Sequence, residues 1–267
     1  MHFVKYHGLE NKFLIAIVAK TPEKPSELAK QLCDTETGLG ADGLIFGVEH
    51  VDESIDSQMI LFNADGSRAE ISGNGIRCLA HEIFSSGKVP NSLDILTDAG
   101  IRQAVLVDKA DEIALIQVNM GFVKFGPEVK FADLEVQSDF AITKAGTVDV
   151  GNPHIVLQVS DLDPVNIADF GSRIEAAWGS GVNVHVMEIN TRNRISFLTW
   201  ERGVGVTAAC GSGAIASASI AYHWGLIDRE IVVAMAGGEG HVSIKNNGIF
   251  LTGESVRVSS HEVPTSG

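Results

Sequence analysis

The stretch Ser72-Gly73-Asn74-Gly75 has a counterpart in Cys210-Gly211-Ser212-Gly213. In each, a small residue with a nucleophile-type side chain is followed by Gly-polar-Gly. Each then runs into a segment of helix character, 76–86 in the first and 214–224 in the second. Both segments end at a glycine, Gly87 and Gly225. The offset is 138 at both ends (210 against 72, 225 against 87). At that offset residues 43–118 line up on 181–256 without a gap. Gly43-Leu44-Ile45-Phe46 falls on Gly181-Val182-Asn183-Val184, Phe62-Asn63 on Trp200-Glu201 and Gly100 on Gly238. Identities are few, but glycines and apolar positions coincide, as in an old internal duplication. The chain therefore reads as two similar halves, 1–118 and 119–256, with the tail 257–267 expected to return to the first.

A glycine-rich elbow that opens a helix has definite physics. Glycine lets the backbone turn tightly and lets a ligand come close. The first amides of the helix have no partner within it and sit at the positive end of its dipole. Such an end binds anions. Two of them facing each other would hold one carboxylate from both sides, with Ser72 and Cys210 flanking the attached carbon. One Gly-x-Gly before a helix is ordinary turn chemistry; two at matched positions, each led by Ser or Cys, point to a site.

Composition bounds the rest. A chain of 267 residues, 45% hydrophobic, has ample material for two domains. A net charge of −14 and a pI of about 5.0 argue against nucleic acid and anionic membrane as partners. No apolar run reaches membrane-span length, and Met1-His2-Phe3-Val4-Lys5 does not open a signal peptide, so a cytoplasmic protein is expected. Three widely spaced cysteines, Cys33, Cys78 and Cys210, form neither a disulfide framework nor a zinc pattern, and no metal is expected.

Strands dominate the remaining pattern. Phe3–Tyr6 and Phe13–Ala19 read as strands, with Asn11 in the loop between them as a turn residue or a ligand contact. Pro25-Ser26-Glu27 opens a helix with Ser26 as its cap. Gly38-Leu39-Gly40-Ala41-Asp42-Gly43 is glycine-rich but lacks the Lys-Ser/Thr of a phosphate loop. In the second half Phe140–Thr143, Val148–Val150 and Ile155–Val159 read as three strands, and 166–178 as a helix. Asn246-Asn247-Gly248 reads as a hairpin turn and Val256–Ser259 as a further strand.

Seven pieces spread over the whole chain resemble the diaminopimelate epimerase family, within the cofactor-independent amino-acid racemases. They are His7-Gly8-Leu9-Glu10-Asn11, Gly40-Ala41-Asp42-Gly43, Asn63-Ala64-Asp65-Gly66-Ser67, Gly73-Asn74-Gly75-Ile76-Arg77-Cys78, Gly151-Asn152-Pro153-His154, Glu201-Arg202-Gly203 and Ala209-Cys210-Gly211-Ser212-Gly213. The resemblance implies two pseudo-symmetric α/β domains, each a mixed, barrel-like sheet around a central helix, with the active site in the cleft between them. It implies epimerisation of LL- to meso-diaminopimelate, in lysine and peptidoglycan precursor synthesis. One sulfur would take the α-hydrogen and the other return one, with no pyridoxal phosphate or other cofactor. It makes Cys210 an acid/base, with Glu201 and His154 adjusting protonation. It assigns Gly73, Asn74, Gly211 and Ser212 to the reacting end of the amino acid. Asn11, Asn63, Asn152, Asn183, Glu201 and Arg202 become further substrate contacts. A homodimer is the expected assembly.

Two positions depart from the family pattern. Ser72 stands where the family has its other catalytic cysteine, and Val206-Thr207 where Glu-Thr is common. A hydroxyl is far less acidic than a thiol, whose ordinary pKa is about 8.5, so it is a poor base and, unrelayed, a poor acid. Three readings stay open. Inversion is impaired by Ser72, a Ser/Cys pair racemises a different amino acid, or a paralogue binds an amino acid without turning it over.

Overall fold

The computed structural model describes residues 1–52, 54–87, 91–129, 138–179 and 181–264. Its fold is mixed α/β. The chain divides into two compact units, Met1–Asn119 with Thr252–Gly267, and Met120–Leu251. Residues 252–256 thus lie with the first unit, whereas the repeat had assigned them to the second half. The reason is that Gly248–Glu262 is one unbroken strand whose later part pairs with His2–Gly8.

The two units repeat one element order. In the first, strand Asn11–Val18 leads through helix α1 (Pro25–Cys33) to the parallel strand Gly43–Asp52. Strand Ile55–Asn63 leads through helix α2 (Gly73–Ser85) to the parallel strand Ser92–Thr97. In the second, Pro153–Val159 leads through helix α3 (Ile167–Ala177) to Asn183–Thr191, again parallel. Arg194–Glu201 leads through helix α4 (Gly211–His223) to Glu230–Met235, also parallel. Helices α2 and α4 start and stop at the offset of 138 read from the sequence (211 against 73, 223 against 85).

Strands Asn11–Val18, Gly43–Asp52, Pro153–Val159 and Asn183–Thr191 hold continuous buried runs, because both of their faces are covered. In Gly43–Asp52, Leu44 and Phe46 join Leu14, Leu32 and Phe62 in the core under α1. The alternate residues face α2, where Gly47 lies against Leu79 and Ile45 against Gly75. Such a strand reads as a continuous apolar run, as parallel strands do. The second unit repeats this, with Ile155, Val184 and Val186 packed on Phe170 and Ile174 of α3. Each fully buried Phe or Leu of these cores contributes roughly 1.5–3 kcal/mol. Helix α2 packs against strands His2–Gly8, Asn11–Val18, Gly100–Ala110 and Ile113–Asn119 as well. Helix α4 is surrounded in the same way, and every residue from Gly211 to Ala221 is buried. A helix without a polar face must lie inside a fold.

Several local expectations change. Helix α1 is capped not by Ser26 but by Lys24, in the left-handed conformation at φ 53°, with Pro25 as first helical residue. Ser26 instead donates from Oγ to the Gly66 carbonyl at 2.6 Å. The loop 38–42 closes the end of α1, its amides at Leu39, Gly40 and Ala41 bonding to Leu32 and Cys33 carbonyls. Phe140–Thr143 and Val148–Val150 are not two strands; Ile142–Asp149 is continuous. Val256–Ser259 belongs to the long strand Gly248–Glu262. Among the described residues no helix is long and apolar enough to cross a membrane.

Candidate active site

The candidate residues divide between the units, five in the first and eight in the second. In the first, Ser72 is the N-cap of α2, extended at φ −142° and ψ 117°. Its Oγ accepts the Gly75 amide at 3.0 Å, which satisfies one of the four open amides of the first turn. The buried Asn74 follows, its Nδ2 3.4 Å from Asn11 Oδ1. Asn11 is held in turn by Nδ2 donating to Asp42 Oδ2 at 3.0 Å, and the Lys12 amide reaches the same oxygen at 2.7 Å. The Asp42 carbonyl accepts the Ala64 amide, and Asn63 donates from Nδ2 to Ser67 Oγ at 3.0 Å. Ser72, Gly73, Asn74 and Asn11 are thereby gathered at one helix end, with the Asn63 turn bonded to the loop that holds Asn11.

A residue beyond the sequence reading sits beneath them. Arg77 is fully buried and donates from Nη2 to Asn74 Oδ1 at 2.7 Å. Burial pulls its guanidinium down to about 10. Its plane is received by Gly253, where a Cβ would come within 3.1 Å of Cζ. It anchors the Asn74 amide. Its signal in the sequence was its place in the first turn after the elbow.

In the second unit Cys210 caps α4 with nearly the same backbone, φ −128° and ψ 110°. Its Sγ accepts the Gly213 amide at 3.3 Å and donates to Glu201 Oε2 at 3.3 Å, with Ser212 Oγ at 3.5 Å. The other carboxylate oxygen, Glu201 Oε1, accepts Thr207 Oγ1 at 2.5 Å. Burial first, and then the Glu201 charge, hold the Cys210 thiol well above its ordinary range. The sulfur rests as a thiol, hydrogen-bonded to a carboxylate placed to take its proton. Thr207, which aims that carboxylate, was legible only as part of the departing Val206-Thr207 pair.

The remaining residues form a second cluster in the same unit. His154 Nε2 lies 2.8 Å from Asn152 Oδ1, and His154 Nδ1 lies 2.8 Å from Nε2 of His185, which the sequence reading had not singled out. Asn183 donates from Nδ2 to the Pro153 carbonyl at 3.0 Å and accepts the Arg202 amide on Oδ1 at 3.0 Å. His154 and Asn183 are register partners on parallel strands. The two clusters meet at Gly213, where a Cβ would stand 2.4 Å from His185 Cε1, so only glycine lets the helix end approach the ring. Burial, then the neighbouring His185 and Arg202 charges, push His154 well below the usual imidazole range; burial takes His185 down to about 3. A pocket of about 230 Å³ opens beside His154, lined among others by Lys124, Phe125, Asp149, Pro153 and Trp178. Among the described residues no group of three or more His, Cys, Asp or Glu is arranged to hold a metal ion.

Comparison with known proteins extends this picture. The family model described as diaminopimelate epimerase matches residues 3–126 and 146–258. A diaminopimelate epimerase of Caldanaerobacter subterraneus subsp. tengcongensis is 37% identical over 98% of this chain and 99% of its own. That of Heliobacterium modesticaldum is 32% identical over 99% of this chain and 100% of its own. Among solved structures, a hydroxyproline epimerase from Agrobacterium vitis, with bound trans-4-hydroxy-L-proline, superposes at a TM-score of 0.79. It is 15% identical and covers 98% of this chain and 90% of its own. A PhzF-family phenazine biosynthesis protein of Bacillus anthracis gives 0.71 at 16% identity, over 99% of both chains. At such identities the likeness is one of fold. The match to the family model and to full-length relatives above 30% identity is of another kind, and by it the chain belongs to the diaminopimelate epimerase family.

Proposed function

We propose that the protein, an isomerase, epimerises LL-diaminopimelate to meso-diaminopimelate at the α-carbon without pyridoxal phosphate. The reading is supported most by one observation. Two helices of the same build are each capped by a proton-bearing side chain that accepts the third amide of its own helix. An α-hydrogen is a very weak acid, and removing it requires preorganised donors aimed at the charge that builds on the carboxylate. The amides at Gly73, Asn74, Gly211 and Ser212 supply such donors. Cys210 and Glu201 act as one unit. The thiol passes its proton to the carboxylate, the thiolate takes the α-hydrogen, and the sequence reverses for delivery. Ser72 serves the other face of the α-carbon as a weak acid, so inversion is the slow step. Asn11, Asn63, Asn152, Asn183 and Arg202 hold the substrate, and His154 keeps Asn152 oriented. A role in lysine and peptidoglycan precursor synthesis, a cytoplasmic location and a homodimer belong to the same reading.

Incubation of each diaminopimelate isomer with the protein in deuterated water tests it, read by mass and by chiral separation. Deuterium is expected at the α-carbon, faster than inversion. Binding without any exchange would replace the enzyme reading by that of a binding protein.

Arg202 is expected to read the distal carboxylate through a two-pronged guanidinium contact. Arg202→Ala should therefore weaken diaminopimelate binding by about tenfold or more, the scale of a charge-assisted hydrogen bond. Binding of a simple monocarboxylic amino acid should change far less. Calorimetric titration with both ligands decides, and equal losses would remove Arg202 from that role.

A further inference from the structure

His154 lies in a chain of polar atoms, not in isolation. With Asn152 Oδ1 at 2.8 Å, His154 Nε2 is the nitrogen that carries the proton, because the amide oxygen can only accept. Nδ1 is then a bare acceptor, and His185 Nε2 at 2.8 Å must donate to it. His185 is fully buried, packed edge-on against Phe197 and pressed on Gly213 at the start of α4. Its Nδ1 has no hydrogen-bond partner among the described residues, and neither does Oγ1 of Thr199, its register partner on the adjacent strand. Ser217 Oγ, one turn along α4 from Gly213, is likewise buried and unpartnered. A histidine fitted so closely, with one nitrogen on another histidine and the other unused, has a single polar task in the fold.

We propose that His185 is a positioning residue that fixes the tautomer of His154 and, through it, the orientation of the Asn152 amide. Burial keeps both rings neutral, so each carries one proton and the chain has a direction. With its oxygen turned to His154, Asn152 directs its NH2 group away from His154, toward a ligand. A carboxylate is acceptor-only when ionised, so it needs those donors. In the reversed arrangement His154 Nδ1–H would donate to His185, and Asn152 would turn its NH2 to His154 and its oxygen to the ligand. That oxygen would repel a carboxylate. His185 thus makes this part of the site selective for an anionic group, a role that rests on reading Asn152 as a substrate contact.

The test is His185→Leu, which fills the space without a donor, beside His185→Gln, whose amide can donate to His154 Nδ1. Nitrogen-15 NMR of the side-chain imidazoles in the full-length protein reports the tautomer of His154 directly. The starting protein and the Gln variant should show the proton on Nε2; the Leu variant should show it on Nδ1 or shared. Affinity for diaminopimelate should fall about five- to tenfold in the Leu variant, the scale of one lost hydrogen bond, and by more than the exchange rate at saturation. The Gln variant should recover it. Should the Leu variant fail to fold, His185→Asn, too short to reach, replaces it with the same expectation. An unchanged His154 tautomer in the Leu or Asn variant, or a Gln variant as impaired as Leu, overturns the proposal. Absence of any diaminopimelate binding would overturn the proposed substrate instead, leaving the tautomer to judge this inference.

Discussion

Ser72→Cys is expected to raise epimerisation by about 10²–10⁴-fold, the range of a well-placed acid–base group, with little change in ligand affinity. The molecule contains the template for this change. Cys210 holds the same cap position on α4 that Ser72 holds on α2, with backbone angles within 14° and 7° (φ −128° against −142°, ψ 110° against 117°). A sulfur in that position still accepts the third amide, at 3.3 Å where the Ser72 oxygen is at 3.0 Å. The helix-end amides proposed to hold the carboxylate are therefore expected to survive the substitution. What changes is acidity. A thiol with an ordinary pKa of about 8.5 can be matched to neutral pH by its surroundings, whereas an alcohol cannot. Deuterium exchange with retention, carried by Cys210, should change much less than inversion. Chiral analysis of both variants in deuterated water checks this. A starting protein that already inverts quickly, and does not improve with cysteine, would show serine to be a competent acid here.

Glu201→Gln is expected to move two observables in opposite directions. The carboxylate raises the Cys210 thiol, second to burial, and also accepts its proton at 3.3 Å. A neutral amide removes both effects. The thiol should come down toward its ordinary range, so alkylation by a small haloacetamide at fixed pH should speed up. Exchange of the α-hydrogen should slow by roughly 10²-fold, because the thiol has lost its base. Reactivity and catalysis falling together would mean that Glu201 only supports the fold. The same shift has a stability consequence. A thiol raised in the folded chain favours folding below its ordinary value, and that contribution is lost as pH climbs through the folded-state value. The starting protein should lose more stability than the Gln variant between neutral pH and strongly alkaline pH.

The two elbows were legible because three independent signals coincide at each: a cap residue, a glycine pair and an apolar run of fixed length. The doubled pattern then gave the second helix from the first. The strands around them were legible in type but not in extent. Ile142–Asp149 looked broken because Ala145-Gly146 interrupts its apolar alternation; a Cβ at Gly146 would stand 2.5 Å from Cδ1 of Ile220 on α4, which would have to move. The loop around Leu9-Glu10 was legible from Gly8 and Asn11, but not its tight two-residue form, because neither central residue is the glycine or asparagine that positive φ favours. The supporting residues were hardest to see. Arg77, Thr207 and His185 are hydrogen-bonded to Asn74, Glu201 and His154. Such pairings join positions by space, and a single sequence records only order.

The long strand Gly248–Glu262 also bears on how the protein comes into being. Its residues from Thr252 onward complete the first unit, pairing Val256–Glu262 with His2–His7 and placing Glu254 and Ser255 against Arg77 and His81. The whole of 120–251 is interposed between that strand and the rest of its unit. A nascent chain usually folds its leading domain first, while the ribosome is still translating the remainder. Here the leading unit emerges with a strand edge open and its buried arginine unsheathed, and must wait for the trailing one to be made.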